Sequence, residues 1–169
     1  MSRKKSERLE SAAWLQLELV NSWIRHSDKK MTALLALIGI AGGGVYAVAQ
    51  GNCGRPAILI SAAAAGAFLA GAALFVFLGL LPRRRFVASD RSEVVFYRAI
   101  ASLYATADDY AAAFANAVRH ETLSANLLRQ TRINAGIADR KFVMTFWSMV
   151  MLILGLAALA TCASIRVFA

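Results

Sequence analysis

The central part of the chain carries side chains that are suited to binding a small anionic nucleotide. Arginine can hold a phosphate through a bidentate fork, tyrosine can stack on a base, and histidine and amide groups can bond to the edge of a base. The alternative interpretation is a solvated basic face, and composition alone favours that alternative. The residues concerned are Tyr97, Tyr104, Arg119, His120, Asn126, Arg129, Arg132, Asn134 and Arg140.

The sequence lacks a constellation that predicts an enzyme. The two histidines, His26 and His120, lie on different segments, and no spacing of Cys, His, Asp and Glu fits a metal site. The glycine-rich run at residues 39–44 does not join a strand to a helix, so it is not a phosphate-binding loop. We therefore expect neither catalysis nor a metal or other cofactor.

Three apolar blocks flank this central region and predict a membrane location for it. They cover residues 31–49, 57–81 and 142–163, and none contains Asp, Glu, Lys or Arg. Each block is close to or above the roughly 20 residues that span a bilayer core. Hydrophobic residues make up 59% of the chain, which exceeds the usual share in a soluble domain. The sequence therefore predicts an all-α integral membrane protein with three transmembrane helices.

The positive charges indicate how these helices cross the membrane. Of the 19 Lys and Arg residues, seven lie in residues 1–30 and ten in residues 82–141, whereas the loop 50–56 and the C-terminal tail hold one each. Cytoplasmic segments are enriched in Lys and Arg. We therefore expect the N-terminus and the central segment inside, and the first loop and the C-terminus outside. This placement accounts for the net charge of +9 without a nucleic-acid polymer as partner.

The segments outside the apolar blocks predict further helices. Apolar residues at three- and four-residue spacing predict an amphipathic helix over residues 7–27, packed on the rest of the protein rather than lying in the headgroup layer. A first central helix is predicted over 93–104. A second begins near Thr106 and continues through Arg140 and Lys141 into the third span, so the centre forms a helical hairpin. The predicted divisions are an N-terminal helix 1–30, a span hairpin 31–81, a central helical region 82–141 and a third span 142–169.

Small residues form smooth faces on the first two spans and allow other helices to approach closely. The simplest interpretation is that these two spans pack as a hairpin through the faces, and the alternative is that the faces pair subunits. The residues are Gly39 and Gly43 on the first span and Ala63, Ala67 and Gly71 on the second.

The two cysteines, Cys53 and Cys162, both fall on the expected outer side of the membrane. An oxidising compartment permits a disulfide between them. We expect two unpaired residues, because nothing in their spacing indicates a disulfide framework.

Four short motifs stand at defined places relative to the three predicted spans. Ser27-Asp28-Lys29-Lys30-Met31 enters the first span, and Leu81-Pro82-Arg83 ends the second. Phe96-Tyr97-Arg98-Ala99-Ile100-Ala101 lies in the centre, and Ile137-Ala138-Asp139-Arg140-Lys141 leads into the third span. In this order and spacing, the chain resembles the transmembrane effectors of Pycsar antiphage defence systems over nearly its full length.

The resemblance has one departure from the family's motifs. Arg98 and Ala99 stand where the family has Gly-Asp, so this protein recognises its ligand differently if that acid contacts the ligand or locks the hairpin. Asp28 and Lys30 are equally compatible with a structural pair at the membrane surface. The positions that match the family's motifs are Asp28, Lys30, Pro82, Arg83, Ile100 and Lys141.

The resemblance implies a specific function. A partner cyclase, activated by phage infection, makes a cyclic pyrimidine mononucleotide, either cyclic UMP or cyclic CMP. The effector binds it on the cytoplasmic face of the bacterial inner membrane, rearranges or forms a homo-oligomer, and impairs the membrane, so that the infected cell dies or stops growing. Two other functions remain open at this point: a small membrane scaffold that docks a partner, and a holin-like pore former that needs no ligand.

Five residues are the candidates for binding such a ligand. Arg84 and Arg132 are predicted to bind the phosphate, and Tyr97 is predicted to stack on the base. His120 and Asn134 are predicted to donate or accept hydrogen bonds at the edge of the base.

Overall fold

The structure is a computed structural model that describes residues 3–50, 55–81, 94–120 and 122–168. Within these ranges, the side chains of residues 3–4, 97–99 and 167–168 are not described. The described residues form helices and no strand, which confirms the all-α prediction. The helices are α1 (Arg3–Ala49), α2 (Pro56–Leu80), α3 (Tyr97–Leu103), α4 (Ala107–Arg119) and α5 (Leu123–Phe168).

Three of these helices are long and apolar enough to cross a membrane. The qualifying stretches are Lys5–Ala49 in α1, Pro56–Leu80 in α2 and Leu123–Arg166 in α5. Pro56 occupies the first turn of α2, where its missing N–H group costs no hydrogen bond. The prediction of three apolar spans is confirmed.

The chain divides into two compact units. The first unit comprises residues 1–25 and 82–138, and the second comprises residues 26–81 and 139–169. Both α1 and α5 contribute residues to both units, and neither helix is interrupted at the division. The predicted continuation of a central helix through Arg140 and Lys141 into the third span is therefore confirmed for α5.

The second unit is held together by apolar side chains, both large and small, from all three of its helices. Met31 and Ala72 are fully buried in this core. Its members are Met31, Leu34, Ile38 and Ala41 of α1, Leu69, Ala72 and Val76 of α2, and Leu152 of α5.

The predicted hairpin through small-residue faces is wrong. Side chains added at Gly39 or Gly43 would meet no atom within 4 Å, and Ala63 and Ala67 are exposed. Gly71 is the exception, but its nearest neighbour is Met151 of α5, at 3.7 Å. The prediction treated the first two spans as a pair, whereas the third helix contributes to the same core and changes which faces are buried. Pairing of subunits through the open faces stays a prediction.

Polar side chains of α5 bond to neighbouring helices inside the second unit. The Ser148 hydroxyl donates to the carbonyl of Ala72 at 3.0 Å, and the buried thiol of Cys162 lies 3.5 Å from the carbonyl of Ile58. Such bonds contribute about 0.6 kcal/mol on average in membrane proteins. Cys162 is a free cysteine, as expected, and Cys53 lies outside the described residues.

The first unit has a core of its own. Residues of α1 pack there against α4 and the start of α5, so the N-terminal helix is packed, as its periodicity predicts. The Tyr110 hydroxyl donates to the carbonyl of Val94 at 3.1 Å and ties α4 to the segment before α3. The buried members are Ala13, Leu17, Val94, Ala117, Leu123 and Leu127.

The first central helix is shorter than the predicted 93–104. Residue 93 lies outside the described residues, residues 94–96 are not helical, and α3 begins at Tyr97. Val94 is buried and its carbonyl is bonded to Tyr110, which holds this stretch out of a helix. The contact is a tertiary one and leaves no local signal in the sequence.

The second central helix, predicted as one element from Thr106 onward, is divided into two. α4 ends at Arg119 and α5 begins at Leu123. The amide and the hydroxyl of Thr122 both donate to the carbonyl of Ala117, at 3.0 and 3.3 Å. An amide bond to the fifth residue back is characteristic of a helix C-terminus, so it ends α4 although the apolar periodicity continues. The prediction of one uninterrupted helix is wrong, and Arg119 belongs to a different helix from the arginines of α5.

The start of α4 agrees with the sequence and supplies a testable cap. The Thr106 hydroxyl accepts the amide of Asp109 at 3.1 Å. We expect Thr106→Ala to cost about 1 kcal/mol of local stability, which corresponds to roughly fivefold faster amide exchange in the first turn of α4. Hydrogen exchange followed by mass spectrometry measures this rate. Thr106→Ser keeps the hydroxyl and is expected to exchange as the unaltered protein does, so equal acceleration in both variants would contradict the cap.

Candidate functional site

The structure describes the side chains of three of the five predicted binding residues, at the end of α4 and on α5. His120 is exposed at the C-terminal end of α4, and Arg132 is exposed on α5. Asn134 is half-buried two positions after Arg132, and residues two apart on a helix do not share a face. Arg84 lies outside the described residues, and Tyr97 begins α3 with a side chain that is not described. Their role in binding stays a prediction.

Asn134 belongs to a chain of three amides in the first unit. The Gln130 Nε2 group donates to Asn134 Oδ1 at 2.9 Å, and the Asn134 Nδ2 group donates to Asn21 Oδ1 at 2.7 Å. Each bond uses one donor and one acceptor, so the chain has a direction from α5 to α1. Asn21 and Gln130 were not among the predicted residues, because a single amide on an amphipathic helix carries no spacing signal.

A cavity of about 660 Å³ runs along α1 beside this amide chain. Its volume is in the range that small-ligand pockets occupy. The lining side chains recur at three- and four-residue spacing and supply a guanidinium, a carboxylate, an amide, a hydroxyl and an indole. They are Ser11, Trp14, Leu15, Leu17, Glu18, Asn21 and Arg25.

The charged groups of this cavity are available to a ligand. Glu18 and Arg25 are exposed, and neither forms an ion pair with another residue in the described ranges. The indole of Trp14 is 46% exposed. The sequence-based choice missed this cavity because it took cations from the central segment, whereas Arg25 lies in the N-terminal helix.

Two other cavities of the first unit are less suited to an anionic ligand. One of about 390 Å³ has Tyr104, Asp109 and Asn116 in its lining, with no basic side chain among its described lining residues. The other is lined in part by Asn126 and Arg129, but its volume of about 10 Å³ holds no more than a water molecule.

An ion pair in the second unit joins two of the family-motif positions. Lys141 of α5 donates to the carboxylate of Asp28 of α1, and the side chain of Lys141 is only 16% exposed. Asp28 therefore pairs with Lys141 rather than with the exposed Lys30, with which a structural pair had been left open. The helix explains this, because residues two apart point in different directions.

The remaining motif positions are only partly described. Ile100 is half-buried on α3. Pro82 and Arg83 lie outside the described residues, and so do the side chains of the departing pair Arg98 and Ala99. In the described ranges, no three His, Cys, Asp or Glu side chains are placed to hold a metal ion.

These features define an all-helical multi-pass membrane protein, whose first unit is the more polar of its two helical units. The family model for the Pycsar effector protein domain, PycTM, matches residues 12–168. A relative, the Pycsar effector protein PtPycTM of Propioniciclava tarda, is 30% identical over 151 residues, which cover 87% of this chain and 75% of the relative. No solved structure matches the chain. The chain belongs to the Pycsar transmembrane effectors of antiphage defence.

Proposed function

We propose that this effector is activated by a cyclic pyrimidine mononucleotide, cyclic UMP or cyclic CMP, and that activation impairs the bacterial inner membrane. The family membership supports the signal, and the architecture supports the response. The observation that carries the proposal is the continuity of α1 and α5, each of which contributes to a polar helical unit and to an apolar helical unit.

Activation requires that the ligand prefers one arrangement of these helices. A ligand shifts an equilibrium only by its difference in affinity for the two states. To move a population from 1:99 to 99:1, the ligand must bind the active state about 10⁴-fold more tightly. A ligand that contacts α1 or α5 in the first unit acts on helices that also form the core of the second unit. No separate linker is needed to carry the change.

The expected orientation puts the first unit, which holds most of the basic residues, on the side of the membrane where a cyclase makes the nucleotide. By the positive-inside rule, we expect the basic residues 1–30 and 82–141 in the cytoplasm and the C-terminus outside. A cyclase in the same cytoplasm supplies the nucleotide. Self-association through the open small-residue faces of α1 and α2 gives the active form, a homo-oligomer that disrupts the bilayer. The infected cell then dies or stops growing before the phage matures.

The proposal is tested with the full-length protein in liposomes that contain a self-quenched dye. We expect dye release on addition of cyclic UMP or cyclic CMP, and none on addition of cyclic AMP, cyclic GMP or linear UMP. Liposomes without protein are the control for direct effects of the nucleotide. Release without nucleotide would indicate a ligand-free pore, and no release with any nucleotide would indicate a scaffold; either result overturns the proposal.

A further inference from the structure

We propose that the cavity along α1 is the nucleotide site, with Asn21 as the residue that recognises the base. This inference rests on the proposed function, because it names the site of the proposed ligand. The described residues that line the cavity all belong to the first unit. Of the five residues predicted from the sequence, Asn134 is bonded to a residue that lines this cavity.

The lining matches the chemically distinct parts of a cyclic mononucleotide. The Arg25 guanidinium is suited to the cyclic phosphate, which carries the negative charge. The Trp14 indole offers a face on which the base stacks, an interaction that tolerates different bases. The carboxylate of Glu18 is an acceptor only, so it takes a ribose hydroxyl or an N–H group of the base. No other cavity described for the first unit combines a cation, an aromatic ring and an amide at a volume above 300 Å³.

The spacing along α1 brings these groups to one side of the helix. Trp14, Glu18, Asn21 and Arg25 follow one another at intervals of four, three and four residues. Residues at these intervals are neighbours on a helix surface. Side chains of a helix lean toward its N-terminus, so Arg25 lies over the turn that carries Asn21. A ligand in this groove therefore meets the cation and the amide together.

The amide chain determines what Asn21 offers to the ligand. Asn21 Oδ1 accepts from Asn134, whose own Oδ1 accepts from Gln130. The Nδ2 group of Asn21 is thus the free end of the chain and presents N–H donors. Uracil, cytosine and guanine each carry a carbonyl oxygen that accepts such a bond, whereas adenine carries none. The geometry therefore favours a base with a carbonyl oxygen.

The same amide links the cavity to α5. A ligand that accepts from Asn21 Nδ2 strengthens the bond from Asn134 to Asn21, because hydrogen bonds in a chain polarise one another. The affected residues lie on α1 and α5, the two helices that continue into the second unit. The bonded pair Asn21 and Asn134 then both recognises the base and links it to the two helices that continue into the second unit.

Asn21→Asp is the sharpest test, because it removes the N–H donors that face the cavity and keeps the oxygen that accepts from Asn134. A carboxylate at position 21 still accepts the bond from Asn134, but it faces the cavity with acceptors instead of donors. Binding of cyclic UMP and cyclic CMP is measured by titration calorimetry on the full-length protein in detergent, up to about 1 mM nucleotide. We expect Asn21→Asp to weaken binding by about 100-fold, since a site built around a hydrogen bond rejects a ligand that cannot form it. Arg25→Gln is expected to weaken binding by at least about tenfold through loss of the charge-assisted bond.

Asn116→Asp is the matched control. It makes the same change of charge in the same unit, but Asn116 lines the 390 Å³ cavity instead of the α1 cavity. We expect its affinity to stay within about twofold of the unaltered protein, as for surface substitutions away from a site. Thermal unfolding of each variant without nucleotide verifies its fold, and Arg25→Gln carries the test alone if Asn21→Asp does not fold.

The outcomes separate this inference from the function on which it rests. If the unaltered protein binds no cyclic pyrimidine nucleotide, both fail. If it binds one, but Asn21→Asp and Arg25→Gln bind it equally well, the site lies elsewhere and only this inference fails. If Asn116→Asp loses affinity as Asn21→Asp does, the effect is one of charge and the assignment of the site is again overturned.

Discussion

Replacing Gly155 of α5 by alanine is expected to destabilise the second unit by about 1–2 kcal/mol. A Cβ atom at this position would lie 2.9 Å from Leu69 Cδ2 and 3.1 Å from Leu69 Cγ, with the carbonyl oxygen of Ala65 at 3.5 Å. Leu69 is only 5% exposed and belongs to the core of the unit, so it has little room to move. Overpacking of this kind costs about 1–3 kcal/mol, whereas the gain in helix propensity from glycine to alanine is at most about 1 kcal/mol. The steric term is the larger one.

The same substitution at Gly66 is expected to have the opposite sign. Gly66 lies in α2 of the same unit, and a Cβ atom there would meet nothing within 4 Å. Only the propensity term remains, so Gly66→Ala is expected to stabilise by up to about 1 kcal/mol. Titration of the purified protein with a denaturing detergent measures both changes. The double variant Gly155→Ala with Leu69→Ala should lose less unfolding free energy than the sum of the losses of the two single variants. The reason is that Leu69→Ala removes the side chain that the new Cβ atom would meet. If Gly155→Ala and Gly66→Ala changed the unfolding free energy equally, the Leu69 side chain would have moved without cost, and the predicted clash would be contradicted.

The membrane helices were predictable because their signal is local. A run of about 20 apolar residues without charge is stable in the core of a bilayer, and the sequence shows such a run directly. The continuity of α5 through Arg140 and Lys141 was predictable for the same reason, since no proline interrupts the helix there and the single glycine nearby, Gly136, is tolerated in a helical pattern. Composition and local propensity therefore specify these elements before any packing is known.

The arrangement within each unit was not predictable, because it depends on contacts between distant residues. The bonds from Asn134 to Asn21 and from Lys141 to Asp28 each join residues that are 113 positions apart. The division between α4 and α5 depends on Thr122, whose amide bond to Ala117 ends a helix inside a continuing apolar pattern. The candidate binding residues were chosen from the segment richest in arginine. The α1 cavity draws instead on one arginine, one asparagine and one tryptophan that look unremarkable in their own helix.

Reversing the charge of Asp28 is expected to have the second large effect. Asp28→Lys sets two ammonium groups side by side in the second unit, where Lys141 is 16% exposed and Asp28 is 40% exposed. Removing one partner of a fully buried pair costs about 3–5 kcal/mol, and exposed pairs contribute at most about 1 kcal/mol. Because Asp28 is partly solvated, we expect an intermediate loss of about 2 kcal/mol in the free energy of unfolding. Asp139→Lys, an exposed position on the same helix as Lys141, makes the same change of charge and is expected to stay within about 0.5 kcal/mol.

The double variant Asp28→Lys with Lys141→Asp decides whether the attraction itself is responsible. If the pair stabilises the unit through its opposite charges, exchanging them restores most of the lost stability, and the single variants are strongly non-additive. If the double variant loses as much unfolding free energy as the sum of the two single-variant losses, the particular geometry of Asp28 and Lys141, rather than their opposite charges, is responsible. The pair joins α1 to α5 in the second unit, and both helices also belong to the unit that carries the proposed ligand site. A restored double variant that still fails to release dye in response to nucleotide would therefore separate the role of this pair in stability from a role in activation.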